Sequence, residues 1–296
     1  MTIELLCWGL MGTFVGSFLN VCAYRLPREQ SVVRPRSRCP RCGSPIAWYD
    51  NIPLLSFALL RGRCRRCRGA IHWRYPVVEA LSGIAAVAVV HRFGHGPVAL
   101  IYLVFIWALL TASVVDFEFQ IIPDEISLGG LALGLLAGAT VPALHATSSI
   151  WLGLARSLVG VFVGGGTIYA VGMFGSVLLK GLRLLGVAMR HHPAWRRRLA
   201  RYRHMKEAMG GGDVKLMAMA GSVLGWKLVL LSFFLAPVLA VVPGMIWLWW
   251  KRSSLIPYGP FLSAALVVSL FAGQELLQMS GIEDTVTLLW FYAQGR

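Results

Sequence analysis

Long apolar stretches separated by polar segments dominate this 296-residue chain. A run of about 18 or more apolar residues is typical of a helix that crosses the hydrocarbon core of a membrane. Eight such stretches are present, of which the fifth is long and the sixth is short. They cover residues 3–24, 76–93, 97–115, 126–144, 151–180, 213–226, 228–250 and 257–279. The pattern predicts an all-α polytopic membrane protein with about eight transmembrane helices, and the hydrophobic content of 57% agrees with this prediction.

The formal net charge of +15 would suit nucleic-acid binding, but the positions of the basic residues favour another explanation. The polar segment 25–75 holds 12 of the 28 lysines and arginines, the segment 180–206 holds nine, and Lys251 and Arg252 add two. In an eight-span arrangement with the N-terminus outside, all three clusters face the same side, which the positive-inside rule identifies as cytoplasmic. The positions of the basic residues therefore predict the membrane topology and contact with anionic lipids. We expect no nucleic-acid partner.

Two Cys-x-x-Cys pairs lie within the polar segment 25–75, at Cys39–Cys42 and Cys64–Cys67. Two such pairs can hold Zn²⁺ tetrahedrally, although the spacing between them slightly exceeds the usual range of about 15–20 residues. Stable disulfides are rare on the cytoplasmic side, so we expect a structural zinc site. Reduced or redox-active cysteines without a metal are the alternative.

Two aspartates lie at the predicted cytoplasmic ends of apolar helices. Asp116 closes the third span, and Asp213 opens the sixth. A charge deep in a span costs roughly 2.5–3.5 kcal/mol, so such residues usually have a partner and a function. Two carboxylates that meet share a proton, and such a pair can activate water and protonate a leaving amine. Asp124 needs no such explanation, because an acid at a helix start is favourable. The alternative for Asp116 and Asp213 is that each merely caps a helix end among the headgroups.

Glycines occur where the predicted helices can approach other segments closely. Gly210–Gly212 precede Asp213, where they can pack against a helix, adopt unusual φ values or admit an extended substrate strand. Gly12 and Gly16 form a Gly-x-x-x-Gly pair that can pack helices within or between subunits.

An ordered set of motifs resembles the bacterial type IV prepilin peptidases, and its Gly-x-Gly-Asp signature is that of intramembrane aspartyl proteases. The motifs are GSFLNVCAYRLP (16–27), the paired cysteines, WYDNIPLLSF (48–57), VVDFEFQIIPDEIS and GGGD (210–213). The resemblance implies cleavage of the basic leader of type IV prepilins or type II secretion pseudopilins, at the cytoplasmic face of the bacterial inner membrane. It also implies N-methylation of the new N-terminal residue with S-adenosylmethionine.

The resemblance also implies roles for individual residues. Asp116 and Asp213 are the catalytic pair, and the four cysteines are zinc ligands of a module associated with methyl transfer. The methyl-donor contacts are poorly defined, because the chain has no glycine-rich signature of the Rossmann type. The candidates, each of which can instead be a loop or interfacial residue, are Glu79, Asp50, Asn51 and Arg25.

The implied domain organisation has three parts. Residues 1–24 form a retained transmembrane anchor, 25–75 a cytoplasmic four-cysteine zinc module, and 76–296 a transmembrane aspartyl peptidase core. A basic insertion at 181–206 within this core is predicted to form an amphipathic helix on anionic lipid, or to contact an acidic partner.

Three other functions fit parts of the sequence. The first is a peptidase without methyltransferase activity. The second is a membrane transporter in which the aspartates relay protons. The third is a zinc-ribbon interaction module on a passive membrane anchor, which leaves the glycines before Asp213 unexplained.

Overall fold

Helices make up most of the described chain, as the long apolar stretches predict. A computed structural model of the protein describes residues 2–188, 210–251 and 257–279. The helices are α1 (Thr2–Arg25), α2 (Leu55–Leu59), α3 (Arg74–Phe93), α4 (Pro97–Phe119), α5 (Asp124–Thr140), α6 (Ile150–Ala188), α7 (Gly211–Lys251) and α8 (Gly259–Met279). Within these residues the only β-structure is two isolated bridges, Arg38–Pro45 and Arg63–Ala70.

Six of the described helices are long and apolar enough to cross a membrane, so the chain is a multi-pass membrane protein. The predicted count of eight is therefore only approximate. Two features account for the difference. Helix α5 has 17 residues and is short for a span, and α7 contains a break at Gly225, where the sequence predicts a boundary between two spans.

The two halves of α7 fold back on each other at this break. A Cβ atom at Gly164 of α6 would touch the Met217 carbonyl and would also lie 3.1 Å from Val229 Cγ2. In a straight helix these two α7 residues would be about 18 Å apart, so both can meet Gly164 only if the chain reverses. Gly225 has φ 76° and ψ 172°, a conformation that is essentially confined to glycine.

A polar cluster caps the first half of α7 at this reversal. Carbonyl groups at the end of a helix have no intrahelical donor. Ser157 Oγ donates to the Ser222 carbonyl at 2.9 Å, and His145 Nε2 lies 3.1 Å from the same oxygen. His145 Nε2 also lies 2.7 Å from Ser157 Oγ, and both side chains are buried. The cluster therefore fixes the end of the first half of α7, near Ser222, which is the end opposite Asp213.

Small residues bring α1 and α3 into close contact. A Cβ at Gly12 would lie 2.7 Å from the Ser82 carbonyl, and one at Gly16 would lie 2.7 Å from Glu79 Cα. Ser82 Oγ also donates to the Gly12 carbonyl at 2.6 Å. The Gly-x-x-x-Gly pair thus packs helices within one chain, through the van der Waals contact and hydrogen bonding that hold membrane helices together.

Helix α6 is longer than the span predicted at 151–180. Its helical backbone continues through Ala188, into the first part of the predicted basic insertion. The remainder of that insertion, 189–206, lies outside the described residues, so its predicted amphipathic helix stays a prediction.

Candidate active site

Asp116 lies in the last turn of α4, with its carboxylate directed at the start of α8. Its side chain is buried, and its Oδ2 accepts a hydrogen bond of 2.8 Å from the Gly259 backbone N–H. Helix α4 ends shortly afterwards because Gln120 adopts a left-handed conformation, with its N–H bonded to the Asp116 carbonyl at 2.9 Å. This early termination leaves the carboxylate near one end of the helix bundle.

Asp213 lies in the first turn of α7 and is partly buried. Its N–H bonds to the Gly210 carbonyl at 3.1 Å, and its carboxylate is close enough to Asp116 for the two charges to interact. The positive end of the α7 dipole favours a negative charge at this position. Two residues that are 97 positions apart in the sequence therefore lie near each other, and their catalytic roles stay a prediction.

Tyr258 and Gly259 complete this site, and neither was identified from the sequence. Burial and the Asp213 carboxylate raise the pKa of the Tyr258 phenol to about 12, so the phenol stays protonated at neutral pH. A Cβ at Gly259 would lie 2.7 Å from Asp116 Oδ2, so any larger residue there would displace the carboxylate or the start of α8. The available signal was Pro257-Tyr258-Gly259-Pro260, a rigid turn immediately before the last apolar stretch.

The glycines before Asp213 act through close packing. A Cβ at Gly212 would lie 3.1 Å from Ile122 Cβ, in the segment between α4 and α5, whereas one at Gly211 would meet no atom within 4 Å. Neither glycine has a positive φ, since the positive-φ glycines in the described chain are Gly43, Gly62, Gly94 and Gly225. The expected close approach is therefore observed at Gly212, and the expected unusual φ values are not.

Asp124 belongs to the same sequence motif as Asp116 but lies outside the pair. It is the first residue of α5, is exposed and accepts a hydrogen bond of 2.6 Å from Lys215 Nζ. Its carboxylate is thus engaged with a cation at the surface. This distinguishes it from Asp116, which is buried and faces a second carboxylate.

The four cysteines form one cluster. Their Sγ atoms all lie within 4.8 Å of one another, and Cys39 Sγ is 3.9 Å from Cys67 Sγ. Tetrahedral Zn²⁺ with Zn–S bonds of about 2.3 Å requires sulfur–sulfur distances of about 3.8 Å. The residue set and spacing therefore fit a closed zinc site, which has no open position for a substrate.

The two Cys-x-x-Cys pairs adopt the same backbone structure. In the first, Cys39 N–H bonds to the Ser44 carbonyl (2.9 Å) and Gly43 N–H to the Cys39 carbonyl (2.8 Å). In the second, the equivalent bonds are from Cys64 to Gly69 (2.8 Å) and from Arg68 to Cys64 (2.9 Å). Gly43 and Arg68, each four residues after the first cysteine, both have a positive φ.

The pKa values of the thiols also favour the binding of a cation. Hydrogen bonds from Ser44 lower the pKa of the Cys42 thiol to about 6, and its Sγ lies 3.0 Å from Ser44 Oγ. A backbone hydrogen bond at Gly69 lowers the pKa of Cys67, but burial and the neighbouring sulfurs outweigh it and raise this pKa to about 11. Four adjacent thiols thus cannot all ionise alone, and a divalent cation would stabilise all four thiolates.

The four methyl-donor candidates separate into three groups. Arg25 and Asn51 line one cavity beside the C-terminal half of α1. Glu79 is buried one layer behind this cavity, where its Oε2 accepts the Leu54 N–H at 2.8 Å. Asp50 accepts three hydrogen bonds from Arg65, at 3.1, 2.9 and 2.7 Å, so its carboxylate is already paired.

Comparisons with known proteins identify relatives over nearly the whole chain. A family model described as the type IV leader peptidase family matches residues 103–245, and one described as the bacterial peptidase A24 N-terminal domain matches residues 10–93. A protein from Pseudomonas putida named prepilin leader peptidase/N-methyltransferase is 32% identical over 292 residues, which cover 90% of each chain.

Two further relatives carry the same name. The protein from Pseudomonas aeruginosa is 32% identical over 308 residues, which cover 94% of this chain and 95% of the relative. The protein from Myxococcus xanthus is 35% identical over 239 residues, which cover 81% of this chain and 62% of the relative. No solved structure matches the chain.

Proposed function

The chain belongs to the type IV leader peptidase family, and we propose that it removes the basic leader of prepilins or pseudopilins and then methylates the new N-terminal amine. The observation that carries the peptidase half of this proposal is the meeting of Asp116 and Asp213. One is buried in the last turn of α4 and the other lies in the first turn of α7. Two interacting carboxylates in a largely dry site are suited to acid–base catalysis of amide hydrolysis.

The peptidase step follows from the protonation of this pair. The ionised carboxylate removes a proton from a water molecule, whose oxygen attacks the scissile carbonyl. The protonated carboxyl stabilises the developing oxyanion and returns a proton to the leaving amine. Gly259 N–H holds the Asp116 carboxylate in place, and the neutral Tyr258 phenol supplies a hydrogen-bond donor beside Asp213.

The methyltransferase half is supported by the names of the relatives, and we place it with the cysteine module. S-adenosylmethionine supplies the methyl group: its S–CH₃ bond breaks as the N–CH₃ bond forms, and the amine loses a proton. We assign Cys39, Cys42, Cys64 and Cys67 as ligands of a structural Zn²⁺ that holds this module together.

The location we propose is the bacterial inner membrane, with the aspartates and the cysteine module facing the cytoplasm. The basic segment 25–75 holds 12 of the 28 lysines and arginines and lies at the same end of the bundle as Asp116. The positive-inside rule favours the cytoplasm for that end, and anionic headgroups suit its charge. A prepilin is an apolar helix with a basic leader, so its scissile bond reaches the same depth.

Membranes that contain the full-length protein, a prepilin and S-adenosylmethionine provide the test, with mass spectrometry of the substrate N-terminus as the readout. Asp116→Asn and Asp213→Asn should each lower cleavage by about 10³-fold or more, because each removes an acid–base group. Asp124→Asn is the matched control, since it belongs to the same motif but pairs with Lys215 at the surface.

The outcomes separate the competing functions. Cleavage lost in both variants but retained in the control, with a methylated product, supports the proposal. Cleavage without methylation leaves a peptidase alone. An intact substrate with several prepilins would reject the peptidase in favour of a transporter or a membrane anchor.

A further inference from the structure

A large cavity lies between the C-terminal half of α1 and the cysteine module. Its volume is about 690 Å³, within the range of about 300–1,000 Å³ that is typical of small-molecule sites. One wall is the face of α1 that carries Ser17 and Arg25, and the other comes from residues 32–37 and 46–51 of the module. The cavity is separate from the aspartate pair, whose residues do not line it.

The walls combine an aromatic surface with a few polar groups. Trp48 lines the cavity although 80% of its surface is exposed, so its indole is available to a ligand. Asn51 adds an amide that can both donate and accept hydrogen bonds. Arg25 is held by the carbonyls of Ser31 (2.8 Å) and Pro35 (2.7 Å), which fix its positive charge at the wall, and Arg36 adds a second cation.

A buried carboxyl group lies behind this wall. Glu79 of α3 is 8% exposed, and a Cβ at Gly16, next to Ser17 of the wall, would lie 2.7 Å from the Glu79 Cα. The site therefore presents cations on one side and a buried carboxyl group on another. This arrangement suits a ligand that carries both signs of charge and an aromatic group.

We infer that this cavity is the binding site of the methyl donor, S-adenosylmethionine. Its adenine stacks on Trp48 and is read by the Asn51 amide, and its carboxylate pairs with Arg25 or Arg36. Glu79 complements the cationic end of the ligand through space. The inference rests on the proposed methyltransferase activity and adds the place and the residues where the donor binds.

The cysteine cluster supports the wall of this cavity. Ser37 and Ile46 both line it, and they are joined by a hydrogen bond of 2.9 Å from Ile46 N–H to the Ser37 carbonyl. This bond flanks the loop that carries Cys39 and Cys42. A metal at the four thiols would therefore fix the cavity wall without contacting the donor.

The cavity is also connected to the peptidase site. The Arg28 guanidinium, three residues after Arg25, lies 4.8 Å from the centre of the Phe119 ring at the end of α4. Arg74, at the start of α3, forms an ion pair with Glu118 of α4. These contacts place the module against the helix end that carries Asp116, where cleavage releases the new amine.

Binding of S-adenosylhomocysteine to the purified full-length protein in neutral detergent, measured by isothermal titration calorimetry, tests the site. Trp48→Ala should weaken binding by about tenfold or more through lost stacking, and Trp48→Phe should recover most of it. Asn51→Ala should weaken binding by a similar factor. Trp73→Ala is the matched control, because Trp73 is 62% exposed in the same segment but does not line the cavity. Unchanged thermal unfolding shows that each variant is folded.

The possible outcomes are distinct. Wild-type affinity in both Trp48→Ala and Asn51→Ala, in a protein that still methylates prepilin, overturns this site and leaves the proposed function intact. A wild-type protein that neither binds the probe nor methylates overturns both. Native mass spectrometry in phosphatidylglycerol addresses a rival occupant. A lipid lost on Trp48→Ala, with probe binding unchanged, would assign the cavity to an acyl chain along Phe14 and Phe18.

Discussion

The carboxylate pair and the thiol cluster are assembled in opposite ways. Asp116, Asp213 and Gly259 come from three helices that are distant in the sequence, so their meeting depends on the packing of the whole bundle. The four cysteines lie within one short segment, in two turns with the same local hydrogen bonds. The comparison predicts that helix-packing changes will damage cleavage first, and that metal removal will damage methylation first.

Among changes that leave both aspartates in place, the largest expected effect is that of Gly259→Ala on the carboxylate pair. The new methyl group would lie 2.7 Å from Asp116 Oδ2, so the carboxylate or the start of α8 must move. Because a displacement of about 1 Å in an active site can cost 10²-fold in rate, we expect a cleavage loss of about that size. Prepilin cleavage in membranes measures it, with Gly129→Ala as the control, since a Cβ at Gly129 meets no atom within 4 Å. Wild-type rates for Gly259→Ala would show that the contact with Asp116 is unimportant.

The second prediction concerns the cysteine cluster. Cys67→Ser, or removal of metal with a chelator, should lower S-adenosylhomocysteine binding and methylation by about tenfold or more, and should lower cleavage less. The physical reason is that a metal at the four thiols would hold the loop between Ser37 and Ile46, which both line the cavity. Metal content by mass spectrometry accompanies the assay, and Cys7→Ser, an exposed cysteine of α1, is the control. If Cys67→Ser loses cleavage and methylation equally, the two regions are not separable in this way.

The sequence predicted these two regions unequally. The thiol cluster followed from spacing alone, because each Cys-x-x-Cys turn is closed by bonds within about seven residues. The meeting of Asp116 with Asp213 was predicted from their membrane depth and from the family resemblance. Tyr258 and Gly259 were missed, because their role comes from packing between α4 and α8, which no local pattern encodes. The zinc ligation, the catalytic roles and the domain boundaries stay predictions.

The number of transmembrane segments was also predicted only approximately from the sequence. Hydropathy placed a boundary near residue 227, and the chain does reverse nearby, at Gly225. Within the described residues, length and apolarity alone instead identify one long helix there and omit α5. A glycine with positive φ ends a helix without any loss of hydrophobicity, so a search for long apolar helices does not register the reversal.

The third prediction concerns the close approach of Gly212 to Ile122, next to the aspartate pair. Gly212→Val should lower cleavage by about tenfold, because its side chain would press on Ile122 and shift the turn that carries Asp213. Gly211→Val is a closely matched control, since a Cβ at this neighbouring glycine meets no atom within 4 Å. Prepilin cleavage and thermal unfolding are measured for both. Unchanged turnover for a folded Gly212→Val protein would show that this close approach has no role in cleavage.

The smallest effect on cleavage is expected at the far end of the same half-helix. His145→Ala removes a partner of the Ser222 carbonyl, which should lower the free energy of unfolding by about 1–3 kcal/mol. Ser222 and Asp213 are separated by roughly 14 Å of helix, so the catalytic pair should be little disturbed. Thermal unfolding in detergent measures the loss of stability, and His91→Ala, an exposed histidine of α3, is the control.

The pH dependence of unfolding distinguishes this cap from simple loss of packing. Burial, together with the charge of Arg156, lowers the pKa of His145 below its ordinary value despite an opposing hydrogen bond to Ser222. The neutral ring is therefore the form that the folded protein favours. Its contribution to stability is complete above the unfolded-state pKa of about 6.5 and declines as the pH falls below it. His145→Ala should lose this part of the acid sensitivity while His91→Ala keeps it. Identical pH profiles for the wild type and His145→Ala would show that the pKa of the ring is the same in the folded and unfolded chain, and that its role at the α7 reversal is one of packing alone.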